Sequence, residues 1–562
     1  MGHSHEFAAS RATIGKAYGQ SATPVFQRKT RQFARILTIL VFSIGFLALL
    51  ALPAFAQVTA FKQAVAEAAS DDRDLAAFYQ ANGYAGIWTD PDADRGRRQA
   101  LFQALADTPA HGLPAARYET DALMAQLRDA RSPRDLGFAE VAMSKTFLRL
   151  ARDLQTGVLI PSRLVGDIKR EVPYRDRQTY ITGLLDSDPY AFFRALPPKT
   201  NEYARLMKER MRLERLVADG GWGETVAAAS LEPGARGASV VALRNRLLRM
   251  GFLSRTATQT YDADIEAAVR AFQEAHGLEA DGVAGSSTID EINTPATERL
   301  KSIHVAMERE RWLNLPEGRG KRHILVNLTD FTARIMDDDH ETFRTRSVIG
   351  KNSDGRRSPE FSDVMEHMVI NPTWHVPRSI AVKEYLPMMK RNRNAASHLR
   401  LVDSRGRTVN RGSVNFSRYN ARNFPFAIKQ PPSSRNALGL VKFMFPNKYN
   451  IYLHDTPAKN LFEREMRAYS HGCIRLAQPF EFAYTLLAAQ EDDPKAAFHR
   501  VLNTGRETRV NLEQHVPVHI IYRTVFTQAK GPVNYRKDIY GRDARIWSAL
   551  SQAGVSLADV RG

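Results

Sequence analysis

The chain has 562 residues, a formal net charge of +18 and 43% apolar residues, which is enough apolar material for more than one hydrophobic core. The positive charge favours an anionic environment such as a cell-wall or lipid surface, but no recognition motif or Lys/Arg-rich run accompanies it, so nucleic acid is not predicted as a partner. A solvated basic surface without a specific partner would explain the charge equally well.

The N-terminal segment has the order of a secretory signal peptide. Basic residues within 28–35 precede an uncharged apolar run from Ile36 to Leu52, and the small-residue pattern Ala54-Phe55-Ala56 follows. The run is shorter than the roughly 20 apolar residues that span a bilayer comfortably. Residues 1–56 are therefore predicted to be a signal peptide, with an uncleaved inner-membrane anchor as the alternative. In either case we expect the rest of the chain to lie in the periplasm.

Residues 57–222 are predicted to form a helical scaffold domain. The segment from Arg73 to Gln80 has the pattern of a helix that stops at Asn82-Gly83, and the aromatic residues Tyr84 and Trp88 after it are expected in the core. A second stretch repeats apolar residues at the spacing of one helix face, namely Phe147, Leu150, Ala151 and Leu154. No residue of this region is predicted to carry chemistry.

A compact three-helix unit is predicted over residues 228–297. Gly251 would end its first helix, and Asp262 is placed to cap its second. The motifs of the unit are Gly237-x-x-Val240-x-x-Leu243, Ala268-Val269-x-x-Phe272-Gln273, Gly277-Leu278 and Asp281-Gly282-x-x-Gly285-x-x-Thr288. These motifs resemble the peptidoglycan-binding domain family, which implies binding to the cell wall. A purely structural role between larger domains is the alternative.

From about His323 the sequence changes to the alternation typical of β-strands. The predicted strands are 324–328, 331–335, 343–349, 364–370, 440–445 and 450–453. Residues 378–435, rich in Lys, Arg and Asn, interrupt this pattern and are too long for a plain connection, so we predict a lid or binding loop there. His454 follows the last predicted strand, where a side chain can project from a sheet edge into a cleft.

The single cysteine of the chain, Cys473, is the candidate nucleophile. It lies in Ser470-His471-Gly472-Cys473-Ile474-Arg475-Leu476, shortly before a predicted helix. Because a thiol of ordinary pKa needs a neighbouring base or positive field to attack, His454 at its strand end is the candidate base. Gly472 lets the backbone approach a bound carbonyl, whose oxyanion nearby N–H groups could hold. Arg475 can present its guanidinium to a carboxylate.

Each of these residues also has an ordinary structural explanation. A lone cysteine is often a small buried apolar residue, and the two histidines and the arginine could be satisfied by their surroundings. A zinc site formed by His454, His471 and Cys473 would leave an open position for catalysis, but no second cysteine or metal-binding signature supports it. Their occurrence together in an exported chain favours catalysis. Neither a metal nor a cofactor is predicted.

The segment Tyr452-Leu453-His454-Asp455-Thr456-Pro457, together with the Ser-His-Gly-Cys-Ile-Arg string, closely resembles the catalytic signature of L,D-transpeptidases of the YkuD type. The domain order and the inserted lid are similar to the large Gram-negative YcbB-like subfamily. Further similarity lies in 436–439, 445–447 and 538–543. The sequence departs from the family at Pro431-Pro432-Ser433-Ser434, where relatives usually carry a glycine, which leaves the shape of this loop open.

We therefore predict an α+β multidomain protein. It would contain the helical scaffold, the small three-helix peptidoglycan-binding domain, and a mostly-β YkuD-like catalytic domain at residues 320–530 with the lid at 378–435 inserted into it. Residues 531–562 would form a C-terminal extension.

The resemblance implies roles for individual residues. Cys473 would be the nucleophile and His454 its general base and later its general acid. The residues implied to line the oxyanion hole or to hold the substrate are Gly472, Ser470, His471, Arg475 and Tyr452. The reaction implied is cleavage of a tetrapeptide stem between diaminopimelate and the terminal D-Ala, followed by transfer of the acyl group to an amine of a neighbouring stem, which gives a 3-3 crosslink. The family resemblance also implies acylation by carbapenems.

Other outcomes of the same chemistry stay open. Water could take the acyl group, which would make the protein an L,D-carboxypeptidase, or a protein amine could take it, which would anchor a protein to the wall. A non-catalytic wall-binding protein would need neither Cys473 nor His454. The sequence leaves the oligomeric state and the regulation open.

Overall fold

The structure is a computed structural model that describes residues 59–557. The predicted signal peptide or membrane anchor at residues 1–56 lies outside the described residues. Between residues 59 and 557, no helix combines the length and the apolar character needed to cross a membrane.

The first part of the described chain is helical, as predicted. Asp72 caps a helix that ends at Ala81, and the apolar stripe predicted around residue 150 is buried. Trp88 is fully buried and Tyr84 is half-buried. The helices are α1 (Ala60–Ala69), α2 (Arg73–Ala81), α3 (Arg95–Ala106), α4 (Thr120–Asp129), α5 (Pro133–Thr156), α6 (Pro161–Leu164), α7 (Arg177–Leu185), α8 (Pro189–Ala195) and α9 (Asn201–Ala218), with 3-10 turns at Thr108–His111 and Ala115–Tyr118.

The next unit consists of α10 (Ala238–Met250), α11 (Ala263–His276) and α12 (Ser286–Ile292). Gly251 ends α10 with φ +85°, a left-handed conformation that favours glycine. The Asp262 carboxylate accepts a hydrogen bond from the Ile265 N–H at 3.1 Å and so caps α11. Both capping predictions are therefore confirmed. Helix α13 (Ala296–Trp312) follows and leads into the β domain.

The β domain is built on strands whose pairings close a ring. Strand β1 pairs with β2 and β13, and the ladder continues β2–β3–β12–β10–β9–β4–β13, with β11 added beside β3. The strands are β1 (Arg322–Asn327), β2 (Thr332–Asp337), β3 (His340–Gly350), β4 (Phe361–Ile370), β9 (Val441–Met444), β10 (Leu453–His454), β11 (Ala468–Ser470), β12 (Ile474–Leu476) and β13 (Thr508–Ile521). Helices α16 (Pro479–Leu487) and α17 (Pro494–Leu502) follow β12 and pack on the apolar core of the β domain.

The segment between β4 and β9 folds into a small body with its own core, which we call the insertion. Its sheet has the order β5–β8–β6–β7, and Leu386, Phe416 and Ile428 are among its buried residues. Its elements are β5 (Trp374–His375), α14 (Arg378–Ile380), a π-helical turn (Ala381–Tyr385), α15 (Leu386–Arg391), β6 (Arg400–Val402), β7 (Thr408–Val409), β8 (Ala427–Gln430) and 3-10 turns at Arg411–Ser413 and Phe416–Arg418. The 3-10 turn Lys459–Glu463 follows later, after β10.

The Pro431–Ser434 loop, whose shape the sequence left open, has a defined shape. The Asn436 side-chain amide donates hydrogen bonds to the carbonyls of Pro372, Gln430 and Pro431, at 3.0, 3.0 and 2.9 Å. These bonds fasten the two ends of the insertion to each other, so its entry and exit lie side by side.

The last described part of the chain returns to the scaffold. Strands β14 (Val525–Phe526) and β15 (Asn534–Tyr535) pair, and α18 (Arg542–Gln552) buries Ile546 and Leu550 in the scaffold core. Each such burial contributes about 1.5–3 kcal/mol. The scaffold core and the β domain are thus joined by the C-terminal helix, and the α+β fold class predicted from the sequence is confirmed.

A buried ion network stands at this junction. Glu360, directly before β4, accepts hydrogen bonds from Arg309 of α13 at 2.6 Å and from Arg542 of α18 at 2.9 Å. Arg309 also donates to Asp543, and burial raises the pKa of that carboxyl to about 6. Since removing one partner of a buried pair leaves an uncompensated charge, each member depends on the others.

Candidate active site

Strand register brings the predicted site residues to one face of the sheet. Strands β10 and β12 are parallel neighbours in which Leu453 lies opposite Ile474 and His454 opposite Arg475. Because side chains alternate between the two faces of a strand, Leu453 and Ile474 point into the core. His454 and Arg475 share the other face, and Tyr452 and Cys473, two residues earlier in the chain, lie on that same face.

This face opens into a cavity of about 920 Å³. The predicted site residues that line it are Tyr452, His454, Ser470, His471, Cys473 and Arg475. Gly472 lies in the turn between β11 and β12 and contributes backbone rather than a side chain. The opposite wall of the cavity comes from the insertion, between Trp374 and Tyr385.

The Cys473 thiol is half-buried, and its Sγ lies 3.5 Å from the carbonyl oxygen of Asn450. Burial raises the pKa of the thiol to about 11, while the backbone and hydroxyl of Tyr452 and the positive charge of Arg475 act in the opposite direction. The thiol is therefore protonated at neutral pH and needs a base to become nucleophilic.

His454 is the group available as that base. Its ring is buried, and Nδ1 lies 2.5 Å from the carbonyl oxygen of Asp455. A carbonyl only accepts, so Nδ1 carries the proton and Nε2 keeps a free electron pair. Burial and then the Arg475 charge lower the pKa of His454 to about 3, against the smaller effect of the Asp455 and Leu438 carbonyls. The imidazole is therefore neutral in the resting site.

The Asp455 carboxylate fixes the turn that carries His454. It accepts hydrogen bonds from the Leu440 N–H at 2.9 Å and from the Lys459 ammonium at 2.6 Å. A Cβ on Gly439 would lie 2.2 Å from Asp455 Oδ2, and Gly439 has φ +62°. Only glycine fits there without displacing the carboxylate, which gives a physical reason for the glycine that ends the 436–439 motif.

The loop before Cys473 is closed by two serine hydroxyls. Ser470 Oγ accepts from the Gly472 N–H at 3.1 Å and donates to the Cys473 carbonyl, while Ser358 Oγ donates to the Gly472 carbonyl at 2.6 Å. The Gly472 N–H is thus already engaged, which does not fit the oxyanion role implied for it. Among the described residues, the amide N–H groups of His471 and Cys473 have no hydrogen-bond acceptor, so the loop offers two free donors. Gly472 itself has φ +117°, a conformation reserved for glycine.

His471 connects the cysteine loop to the insertion. Its Nε2 lies 2.7 Å from Glu384 Oε1, and the same carboxylate oxygen accepts from the Arg356 guanidinium at 2.6 Å. Glu384 and Arg356 could not be predicted from the sequence because nothing in their local pattern marks them. Their role depends on a contact between segments 87 residues apart.

Arg475 lines the cavity without an anionic partner. No carboxylate in the described part of the chain forms an ion pair with it, and its Nε is buried without a hydrogen bond. Burial lowers the pKa of Arg475, and Lys442, opposite His454 on β9, has a lowered pKa for the same reason. A half-desolvated cation that lines the same cavity as a thiol forms a site for an anionic ligand.

One ring nitrogen of each of the two histidines already contacts another group and is therefore not free to bind zinc. His454 Nδ1 faces a carbonyl and His471 Nε2 faces Glu384. Over residues 59–557 there is no group of three or more His, Cys, Asp or Glu side chains that could hold a metal ion.

Three segments of the chain match known families. Residues 73–209 match a family described as "Scaffold domain", residues 236–292 one described as "Putative peptidoglycan binding domain", and residues 321–512 one described as "L,D-transpeptidase catalytic domain".

The chain is also similar to individual proteins. It is 29% identical over 244 residues to a Haemophilus influenzae protein named "Putative L,D-transpeptidase", a match that covers 43% of this chain and 48% of that protein. The chain therefore spans about half the length of the curated relative it matches. Solved L,D-transpeptidases of Xylanimonas cellulosilytica and Stackebrandtia nassauensis match with TM-scores of 0.16 and 0.21 and identities of 14% and 15%. Each covers 53% of this chain, and 100% and 97% of the solved chains are covered.

Proposed function

Because the chain carries an L,D-transpeptidase catalytic domain of the YkuD type and a peptidoglycan-binding domain, we propose that it is a periplasmic acyltransferase that forms 3-3 crosslinks between peptidoglycan stems. The acyl group is carried as a thioester on Cys473. The terminal D-Ala of a tetrapeptide donor stem is released in the first step.

Acylation begins with both groups neutral. Cys473 Sγ attacks the carbonyl between diaminopimelate and D-Ala while His454 Nε2 takes the thiol proton. The amide N–H of Cys473 holds the oxyanion that forms. The C–N bond then breaks, His454 returns its proton to the leaving D-Ala amine, and the stem remains bound through a C–S bond.

Transfer repeats these steps in reverse. The amine of an acceptor stem attacks the thioester carbonyl, His454 takes the proton of that amine, and the C–S bond breaks as the new amide forms. The proton returns to Sγ and restores the thiol. The energy of the cleaved peptide bond is kept in the thioester, so no nucleotide is required outside the cytoplasm.

The observation that carries this proposal is the unpaired Arg475 on the face of Cys473 and His454. A stem of the donor contains carboxylates at diaminopimelate and at the terminal D-Ala, and a guanidinium can bind a carboxylate through two parallel hydrogen bonds. A cysteine and a histidine alone would be compatible with many hydrolases. The free cation beside them supports an anionic peptide donor.

The insertion is proposed to shield the thioester from water, since it supplies the wall of the cavity opposite Cys473. Asn436 donates a hydrogen bond to the Pro372 carbonyl at 3.0 Å, so residues 373–435, which contain the proposed lid at 378–435, can be replaced by a short glycine linker. The expected result is a lower ratio of crosslinked to hydrolysed product. An unchanged ratio would sink the shielding role.

Mass spectrometry of the purified full chain with tetrapeptide muropeptides tests the proposal. We expect an acyl adduct on the wild type, with loss of D-Ala, and then a crosslinked dimer, and neither with Cys473→Ala. Absence of both with the wild type would reject the transpeptidase proposal, and a dimer made by Cys473→Ala would reject the nucleophile. An adduct that yields only tripeptide would point to water as the acceptor.

A further inference from the structure

Two further cavities lead away from the cysteine cavity toward the helical scaffold. One, of about 420 Å³, shares Tyr449 with the cysteine cavity. The other, of about 630 Å³, shares Ile160 and Tyr174 with the first. The shared lining residues place the cavities in succession, and we call the two outer ones the scaffold groove. Neither belongs to the site described above.

The scaffold groove is lined by more cations than anions. Some of its cations are balanced, as in Arg117 with Asp153 and Arg177 with Asp72, at 2.7 and 2.6 Å. The cations of the groove that form no ion pair with any carboxylate in the described chain are Arg149, Arg152, Lys169, Arg170, Arg175 and Lys448. Of these, Arg170 is buried and donates hydrogen bonds to Ser362 Oγ and to the Ile520 carbonyl. Glu171 is an acidic lining residue that opposes them. An excess of unpaired positive charge in a concave surface attracts anionic ligands.

An aromatic ring stands at each junction of the groove. Tyr174 is 45% exposed, and the Arg152 guanidinium lies 5.4 Å from its ring centroid. Tyr449 is half-buried, and the Lys448 ammonium lies 5.5 Å from its ring centroid. A single exposed aromatic residue is ordinary on a protein surface. Two tyrosine rings therefore lie at successive junctions of the groove, each with a cation near its face. Such a repeat suits a ligand in which a sugar ring and a carboxylate recur together.

We propose that the scaffold groove binds a peptidoglycan strand and leads one of its stems to Cys473. The C–H faces of the sugars pack on Tyr174 and Tyr449, and the carboxylates of successive stems lie against the unpaired cations. This inference rests on the proposed function, which makes the stem the substrate. It assigns the scaffold a role in substrate binding beyond supporting the β domain.

Binding by the full-length chain with Cys473→Ala tests the groove without catalysis. The probe is a labelled, uncrosslinked glycan chain that carries tetrapeptide stems, measured at low and high salt. Lys169→Glu/Arg175→Glu reverses two exposed groove cations that lie in loops. The matched control, Arg95→Glu/Lys208→Glu, reverses two exposed scaffold cations that line none of the three cavities.

We expect the groove variant to bind at least about tenfold more weakly at low salt and to lose most of the salt dependence, while the control stays within about twofold of the parent. Tyr174→Ala should weaken binding about threefold or more with its salt dependence retained. Neutral chitooligosaccharides should bind far more weakly than the stem-bearing chain. Equal losses in groove variant and control, no loss in the groove variant, or equally tight binding of the neutral chains would each overturn the proposal.

The proposal for the groove and the proposed transpeptidase function can be rejected independently by these measurements. If the wild type forms no acyl adduct but the groove variant loses strand binding, the groove stands without the transpeptidase chemistry. If the adduct forms and the groove variant binds like its parent, the groove alone is wrong. The peptidoglycan-binding domain is common to all variants, so it contributes equally to each measurement.

Discussion

At the scale of single residues, burial sets the charge state of both groups proposed to react. It raises the pKa of the Cys473 thiol to about 11 and lowers the pKa of His454 to about 3. The proposed pair is therefore a neutral thiol and a neutral imidazole that line one cavity, and we expect the proton to move only when substrate is attacked. A preformed thiolate–imidazolium pair would instead be charged at rest and open to any electrophile.

Alkylation of the substrate-free protein by iodoacetamide should therefore be slow, and its rate should rise with the hydroxide concentration. At pH 7 only about one thiol in ten thousand is ionised when the pKa is near 11. We expect the rate to rise about tenfold for each pH unit between pH 7 and 9.5. The measurement is adduct mass against time in a pH series, with free cysteine as reference. A rate that is flat from pH 5 to pH 8 would instead indicate the charged pair.

Replacement of Arg475 by methionine should weaken the binding of the donor stem more than the reactivity of the Cys473 thiol. We expect kcat/KM to fall about a hundredfold, mainly through KM, because a charge-assisted contact to a stem carboxylate is lost. The check is a double-mutant cycle with a donor whose stem carboxylates are amidated. If wild type and Arg475→Met discriminate equally against the amidated donor, Arg475 does not bind those carboxylates.

At the scale of elements, the insertion is held to the cysteine loop by one carboxylate. Glu384 contacts His471 and Arg356 at 2.7 and 2.6 Å, and all three side chains are about one-third exposed. An exposed pair of this kind contributes at most about 1 kcal/mol. We expect a contact of this strength to open when substrate enters and to position the insertion in the resting state.

Glu384→Gln should loosen this contact while keeping the shape of the side chain. We expect faster hydrogen exchange in residues 378–391 and an increase of about two- to fivefold in the share of acyl-enzyme lost to water. Glu463→Gln, which removes an exposed partner of Arg346 away from the cavity, is the control. Equal exchange in both variants would mean that Glu384 does not hold the insertion.

The elements that could be predicted from sequence are those with local signals. Asp262 and Gly251 mark helix ends by their own chemistry, and the strands around Ile324 and Ile370 alternate clearly. Strand β13 was missed although it lies between β1 and β4. The register of its pairing with β4 shifts between Asn511 and Val516, and Pro517 lies within the strand. The apolar alternation of β13 is therefore interrupted, and pairing with distant strands, which the local sequence does not show, maintains the strand.

The candidate site was predictable to the same extent. Cys473 and His454 are marked by a motif, and the register of β10 and β12 brings them to one face. Glu384 carries no such mark, and the engaged N–H of Gly472 follows from the position of Ser470 Oγ in the folded loop. Side-chain hydrogen bonding of this kind depends on tertiary geometry that spacing alone does not encode.

At the scale of the whole molecule, the C-terminal segment stabilises the cysteine loop through residues that contact both. Arg542 donates to the Ser358 carbonyl at 2.8 Å and Tyr540 donates to the Gly350 carbonyl. Ser358 in turn holds the Gly472 carbonyl. The 538–543 motif therefore acts on the active site through one intermediate residue, which gives it a physical reason independent of substrate contact.

Arg542→Met should destabilise the fold by about 3–5 kcal/mol, since Glu360 keeps only Arg309 as a partner in a buried site. Urea unfolding followed by circular dichroism measures this change. Arg545→Met, an exposed arginine on the same helix, should stay within about 0.5 kcal/mol of the parent. Equal stability of the two variants would show that the network around Glu360 is not a determinant of the fold.

The position of Tyr540 and Arg542 along the chain also has a consequence in time. These residues are synthesised after every other part of the β domain that they support. Until they arrive, Ser358 has neither its Arg542 nor its Tyr540 contact, and α18 has not closed on the scaffold core. A chain still being synthesised thus has an unsupported thiol loop, and we expect this loop to take its final shape only after residue 542 has been added.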